Sequence, residues 1–437
     1  MAFGGGTFIT QNKVLAGAYI NFVSLARASA TLADRGVATM ALEMDWGVED
    51  TVLEVTNGDF QKESQKIFGY HYSHEKLKGI RELFANITTL YLYRLNGGDT
   101  KASNDYATAK YAGIRGNDIK IVVQKNIDDE NKYDVKTLLD NVVVDTQTVT
   151  DAVELVANDY VTWKKGLTLS EKETAGVKLA GGQNGEVNAS AHQTYLDKIE
   201  SYTFNTIGVV TTDDAIKSLY SSFTKRLRDE LGAKFQCVVY RKAADYEGTI
   251  NVKNKVKNAD VNEAALVYWV TGISAGCPVN KSNLNKRYDG EFDIDTNYTQ
   301  SELIAAIEAG EFTLHSVNGE VRVLDDINSL VTVSDTKGDI FKDNQTVRVI
   351  DQVANDIAVL FNTKYLGTVP NDAAGRVSLW ADIVKHHEQL QDIRAIENFI
   401  EDDVIVEQGD TKKSVVVTDA IQVVNAMAKL YMTVKVA

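Results

Sequence analysis

Thr203-Phe-Asn-Thr-Ile-Gly-Val-Val210, with Ile216, Leu219, Tyr220, Phe223, Leu227 and Leu231 behind it, decides the fold class. The first run is apolar and β-branched, as strands are. Thr212 or Asp213 then offers a side-chain oxygen to cap a helix whose apolar residues recur three and four apart. Gly232 falls just past its end, and Phe235–Tyr240 reads as the next strand. Strand, helix and strand over this length predict a right-handed crossover between parallel strands.

Downstream, Thr299 and Glu302 form a capping box for a helix over 302–309, which Gly310 stops. Phe312–Ser316 and Val321–Leu324 flank Asn318-Gly319, a strong hairpin turn. Val347, Ile350, Ala354, Ile357 and Phe361 make one helical stripe. A second helix is expected from about Asp372 to Ile393, with Val377, Trp380, Val384 and His387 on one face. At the end, Leu430, Met432, Val434 and Val436 alternate with Lys429, Tyr431, Thr433 and Lys435, the pattern of a half-buried strand.

Upstream, Ile87–Leu95 reads as a strand ending at Asn96-Gly97-Gly98, with a helix expected over Glu75–Phe84. Between residues 98 and 182, short strand-like runs at Ile119–Gln124, Tyr133–Leu138, Asn141–Thr146 and Val177–Leu179 suggest a small inserted β-module. The first 22 residues read as an arm, three glycines followed by an isolated strand, Val14–Phe22. A strand without a nearby hairpin partner pairs with a distant one or with another chain. The expected class is therefore a multidomain α/β (α+β) protein: an arm at 1–22, body segments at 23–97 and 183–335, the β-module at 98–182, and a C-terminal domain at 336–437.

The composition narrows function by exclusion. With 61 acids against 46 bases among 437 residues, the net charge of −15 argues against a general nucleic-acid binder. Cys237 and Cys277 are too few for a disulfide scaffold. No secretory signal opens the chain, and the best apolar stretch, Ala264–Ile273, is far shorter than the ~20 residues of a membrane span. A soluble protein made in the cytoplasm, without membrane insertion, is expected. Proline occurs only at 278 and 370, against a usual share of ~5%.

Chemistry finds little support. Gly272-Ile-Ser274-Ala-Gly276 matches a nucleophile elbow, but that motif needs a strand before the serine and a helix after it. Here a helix precedes and Pro278 follows, so a small-residue helix end is the better reading. His386 and His387 point about 100° apart on a helix, and His71 with His74 lacks a further ligand, so no metal is expected. Gly181-Gly-Gln-Asn-Gly185 has no Walker lysine and reads as a turn. The run 397–410 carries six acids and no base, a solvated face or an interaction surface. No catalytic residue and no cofactor are assigned.

Several segments resemble contractile tail sheath proteins of phage tails, R-type bacteriocins and related contractile injection systems. The end, Asn425-Ala-Met-Ala-Lys-Leu-Tyr-Met-Thr-Val-Lys-Val436, is similar to that family's terminal strand, and Val347–Ile357 to the long helix of its C-terminal domain. Val270-Thr-Gly-Ile-Ser-Ala-Gly-Cys-Pro-Val-Asn280 is similar to the sheath segment built on Gly-x-x-Ala-Gly. Tyr111–Ile119 and Leu179–Gly185 resemble the borders of the family's inserted β-sandwich. Where many members have Pro-Gly before the N-terminal strand, this chain has Ala16-Gly17.

The resemblance implies a mechanical, non-enzymatic subunit that stacks in helical rings around an inner tube and contracts to drive that tube through an envelope. Its implied partners are other sheath subunits, the tube protein, and baseplate and tail-terminator proteins. Assembly in the bacterial cytoplasm and release by lysis are implied too. Terminal arms of such sheaths add strands to neighbouring C-terminal domains; the candidates are Tyr19, Ile20 and Phe22, with Leu430, Met432, Val434 and Val436. Arg376, Lys385 and Arg394 are candidate tube contacts on the second helix of the C-terminal domain. The alternatives are another particle protein (tube, baseplate or capsid), a serine hydrolase using Ser274, or a nucleotide-binding protein using the 201–240 crossover.

Overall fold

The computed structural model describes Leu32 and residues 34–436. The expected arm residues Tyr19, Ile20 and Phe22 lie outside the described residues. One compact unit is built from residues 34–352 with the chain from Val423 on; the other comprises Leu32 and residues 353–422.

The larger unit begins with β1 (Val37–Leu42), β2 (Val52–Thr56), α1 (Asn57–Phe68), α2 (Lys78–Phe84) and β3 (Thr89–Arg94). An inserted module follows, with β4 (Ala107–Ala109), β5 (Ile119–Lys125), β6 (Tyr133–Leu139), β7 (Val142–Val149), β8 (Val161–Trp163) and β9 (Thr174–Lys178). The body resumes with α3 (Ala189–Ile199), β10 (Thr206–Gly208), α4 (Asp214–Arg226), β11 (Gln236–Tyr240), β12 (Thr249–Val252) and α5 (Leu266–Gly276). It ends with α6 (Gln300–Glu308), β13 (Glu311–Phe312), the hairpin β14 (Leu314–Val317) and β15 (Glu320–Val323), and the first half of α7 (Asn344–Leu360).

Seven strands form one sheet in the order β13-β12-β11-β10-β1-β3-β2, parallel except for β2, which runs antiparallel to β3. Its strands are apolar on both faces because both faces are covered. In β11, Val238 and Tyr240 join a core with α2 and α5, whereas Cys237 and Val239 pack with Tyr195 of α3 and Tyr220 of α4. The crossover of the opening stretch is present: Asp213 caps α4, accepting from the N–H groups of Ala215 (2.7 Å) and Ile216 (3.1 Å). The helical stripe continues as one π-turn, Leu227–Leu231, and Gly232 ends it at φ 80°. The Thr299–Glu302 capping box forms as well, and Asn318 and Gly319 take the positive φ values of a tight hairpin.

The inserted module pairs an antiparallel sheet, β7-β6-β5-β9, with the short ladder β4-β8. It is keyed to the body rather than hung from it. Trp46, from the connection after β1, is buried in the module's core beside Ile119, Ile121 and Tyr160. Buried Arg94, at the end of β3, donates to Gly47 O (3.1 Å) and Ala112 O (2.8 Å). Arg115 returns the connection, donating to Gly69 O (2.7 Å) and pairing with Asp140.

In the smaller unit, the second half of α7 is followed by α8 (Ala373–Asp392), β16 (Ile396–Glu397) and the hairpin β17 (Val404–Gln408) and β18 (Val415–Asp419). The helix that the 3.6-residue spacing predicts over 372–393 is α8. Its Val384 and His387 are buried and Trp380 half-buried, but Val377 is exposed.

Candidate functional site: the arm anchor and the C-terminal unit

The C-terminal segment is where sequence pattern and structure part. The alternation from Lys429 to Val436 predicts a half-buried strand, yet the segment pairs with no strand among the described residues. Leu430, Met432, Val434 and Val436 are 86%, 75%, 69% and 92% exposed. The row is an alternating apolar face left uncovered among the described residues.

The root of that segment, by contrast, is fixed to the first turn of α7. The Gln345 side-chain amide donates to Val424 O (3.0 Å) and accepts from the Ala426 N–H (2.9 Å), imitating a strand neighbour. Thr346 and Asn425 side chains bond to each other at 3.1–3.2 Å. Farther along, Lys429 lies within electrostatic reach of Asp325.

The turn that holds this root is unusually polar for its burial. Asp326 and Arg348, each almost wholly buried, pair at 2.7 Å; Asp326 also accepts from Asn283 N (2.8 Å) and Asn344 Nδ2 (3.1 Å). Burial works against the Asp326 charge, but Arg348 and these donors outweigh it, so its carboxyl sits below the usual carboxylate range. One turn on, Arg228 grips Asp351 with two bonds of 2.6 and 2.8 Å. Arg35, where the N-terminal part of the chain enters the body, donates to Cys277 O (2.9 Å) and Ser274 O (3.1 Å) at the end of α5. Arg348 reaches Lys281 O (3.0 Å) just beyond. Arg35 and Arg348 therefore both donate to the segment 274–281.

Asp343 caps α7 through the N–H groups of Gln345 (2.7 Å) and Thr346 (3.2 Å). Burial first, then the nearby Asp326, push its carboxyl up to about 6. A raised carboxylate binds its proton more tightly folded than unfolded, so its contribution to stability falls as pH rises from about 4 through about 6. Ionised Asp343 thus costs up to about 3 kcal/mol at neutral pH. Asp343→Asn keeps a good cap, and is expected to melt above the wild type at pH 7.5, with the gap roughly halved at pH 5 and closed only below about pH 4. A lower melting point at both pH values would refute this account.

The remaining candidates resolve by packing. Gly272, Ser274 and Gly276 lie on α5, not on a strand-to-helix turn. A Cβ on Gly272 would come 2.8 Å from Leu83 O, and one on Gly276 would land on Asn86 O, so the small residues let α5 cross the end of α2 closely. The Ser274 hydroxyl is buried. His386 and His387 are buried too: their Nδ1 atoms approach to 3.2 Å, while the Nε2 atoms reach Asp356 (3.0 Å) and Asp419 (2.7 Å). With Trp380 donating to Val404 O (3.0 Å), they pin the β17–β18 hairpin and the end of α7 onto α8. No group of three metal-ligating side chains occurs among the described residues.

The structure does not gather the three basic candidates on one face. Arg376 and Lys385 are nine positions apart on α8, about half a turn out of phase. Arg394 lies beyond the helix end at φ 61°. Arg376 donates to Asn371 O (3.2 Å) and Oδ1 (3.0 Å), whereas Lys385 and Arg394 are exposed. No described helix is long and apolar enough to cross a membrane.

The spacing could not reveal the buried polar turn of α7, because Asn344, Gln345, Thr346, Arg348 and Asp351 read as a solvated face. The one available signal was that Val349 falls off the Val347–Ile350–Ala354 stripe, so this first turn offers apolar residues on more than one side.

Comparison with known proteins accounts for this arrangement. Residues 35–95 match the tail sheath protein Gp18 domain III N-terminal region, 96–184 the phage tail sheath protein beta-sandwich domain, 185–329 the phage tail sheath protein central domain, and 336–437 the phage tail sheath C-terminal domain. The chain is 33% identical to the phage-like element PBSX protein XkdK of Bacillus subtilis, over 99% of both chains. The crystal structure of the sheath tail protein of Desulfitobacterium hafniense is similar at a TM-score of 0.82 and 38% identity, covering 95% of this chain and 99% of that one. That of the Listeria innocua sheath tail protein Lin1278 follows at 0.78 and 32%, covering 90% and 93%. The anti-feeding prophage helical sheath in its contracted state shares the fold alone, with a TM-score of 0.56 at 12% identity over 97% of this chain and 99% of that one. This chain belongs to the phage tail sheath protein family and is a structural subunit of a contractile tail sheath.

Proposed function

We propose that the segment beyond Ala426 is an inter-subunit arm that adds a strand to the C-terminal unit of a neighbouring subunit and keeps the sheath connected while it contracts. The observation that carries this is the exposed alternating row Leu430, Met432, Val434 and Val436 on a tightly anchored root. The β17–β18 hairpin is a two-stranded ladder with Ile405, Val416 and Val417 exposed, an acceptor with open edges. Tyr19, Ile20 and Phe22 are proposed as the matching N-terminal arm. Each added main-chain bond nets only ~1 kcal/mol, but several in series hold while the bodies rotate.

The subunit acts on an inner tube, with baseplate and tail-terminator proteins at the ends, and without catalysis of its own. Assembly in the cytoplasm and release by lysis follow from that role. The tube contact is proposed for the C-terminal unit through Lys385 and Arg394, the exposed pair of the three basic candidates. Negative-stain microscopy of the purified chain with its tube protein tests both points. Sheath-like tubules around the tube are expected, and closed shells or bare narrow tubes would overturn the sheath role. Lys385→Glu with Arg394→Glu should leave tubules that no longer enclose tube; enclosure at the wild-type level would remove the contact.

A further inference from the structure

An open cleft of about 240 Å³ lies between α4 and the loop after β11, lined by Ser218, Ser222, Lys225, Lys242, Tyr246 and Thr249 among others. Its charge is unbalanced in a chain with net charge −15. Lys242 Nζ donates to Ser218 Oγ (2.8 Å), and Lys225 Nζ stands 5.6 Å over the Tyr246 ring; neither ammonium has a carboxylate partner among the described residues. The carboxylates nearby have their closest partners elsewhere: Glu247 pairs with Lys337, Asp229 accepts from the Tyr246 hydroxyl, and Asp214 pairs with Lys217, with Lys242 only within its longer electrostatic reach. At the cleft lies Thr249, fully buried, with a hydroxyl that has no hydrogen-bond partner among the described residues. Two ammoniums without a directly paired carboxylate, beside a buried, unsatisfied hydroxyl, make a site for an anionic group with oxygen atoms.

We infer that this cleft receives the carboxylates of Glu401 and Asp402 from a second copy of the chain. These side chains sit on an exposed 3₁₀ turn, Glu401–Asp403, at the centre of the acid run 397–410, and neither makes an ion pair among the described residues. Their neighbour Asp403 is already committed to the Ile400 N–H (3.0 Å). Two adjacent carboxylates match two ammoniums, and the charge signs are complementary across the contact. Because cleft and turn are different patches, the contact is heterologous, the kind that propagates rings or open helices instead of closing a dimer. That is the symmetry a sheath requires. The contact is distinct from the proposed arms and does not depend on them.

The full-length chain, polymerised over a range of salt and read by sedimentation and negative stain, tests this. Lys225→Glu with Lys242→Glu, and separately Glu401→Lys with Asp402→Lys, should each lower sedimentable polymer about ten-fold or more at low salt. A chain carrying all four substitutions should recover it. Wild-type yield from the lysine reversal would overturn the cleft as an interface; a quadruple variant that stays unassembled would overturn the acidic turn as its occupant. Should a reversal lower the melting point, Lys225→Gln with Lys242→Gln gives the same reading without introduced acids: loss of polymer is expected, and unchanged yield refutes the cleft. The arm proposal fails separately, on a truncated chain whose cleft is intact.

Discussion

A chain ending at Ala426 is expected to fold as the full chain does and to fail almost completely to polymerise. The segment removed, residues 427–437, includes Leu430, Tyr431, Met432, Val434 and Val436, each at least two-thirds exposed. Little burial is lost with it, so the melting temperature should move by no more than surface changes do, within about 0.5 kcal/mol of stability. Assembly loses much more. An arm strand of this length offers several main-chain bonds at ~1 kcal/mol each and four apolar side chains worth about 1.5–3 kcal/mol apiece when fully buried. Even a fraction of that sum spans several decades in an association constant. Sedimentation and negative stain should therefore show soluble subunits at concentrations where the full chain forms tubules. Tubules at the wild-type yield would remove the arm proposal, and a collapse of the melting transition would show that the segment belongs to the subunit's own core. A milder variant separates pattern from length: Met432→Lys with Val434→Lys keeps every backbone donor yet charges one face, and should reduce assembly without abolishing it.

The amino-acid sequence made the body legible wherever a local rule acted alone. Asp213 before Ile216, Thr299 three before Glu302, and Asn318-Gly319 between β14 and β15 each satisfy backbone groups within a few residues. The helix caps and the hairpin turn therefore stand where the residues place them. What stayed illegible depends on distant chain. Trp46 reads as part of a body connection, but its indole is buried in the core of a module some sixty residues later. The module is consequently integral to the body: removing 98–182 strips the cover from Trp46 and the Ala112 carbonyl from buried Arg94. His386 and His387 show the same limit. Their angular separation on α8 argues against a shared ion, and that geometry gives no hint that both rings turn inward to meet each other and two carboxylates. The terminal alternation has the opposite character. Its period was readable, but its exposure among the described residues was not, because periodicity says which side chains share a face and not what covers that face.

Arg348→Ala is expected to be the most damaging single substitution in the body, at about 3–5 kcal/mol, or roughly 4–7 °C in melting temperature for a unit of this size. The reason is what remains. Asp326 would keep its bonds to Asn283 N and Asn344 Nδ2, but would hold a charge in a wholly buried place with no cation beside it. Arg348 is itself imperfectly served, since its Nε and Nη1 have no hydrogen-bond partner among the described residues. The pair is therefore better seen as mutual relief of two burial costs than as a source of net stability. Two consequences separate this account from simple loss of packing. With the guanidinium gone, burial alone raises the Asp326 carboxyl, so the variant regains stability as pH falls and the carboxyl takes up its proton; the deficit against wild type should be larger at pH 7.5 than at pH 5. In addition, Arg348→Met combined with Asp326→Asn removes both charges while keeping much of the volume, and should recover most of the loss. A deficit independent of pH, or a double variant no better than Arg348→Ala, would refute the electrostatic account. The effect should also reach the arm, because Gln345 and Thr346, which hold Val424–Ala426, precede Arg348 by less than one helical turn. Arg348→Ala, cooled well below its melting point, should still polymerise less than wild type, whereas the double variant should approach it.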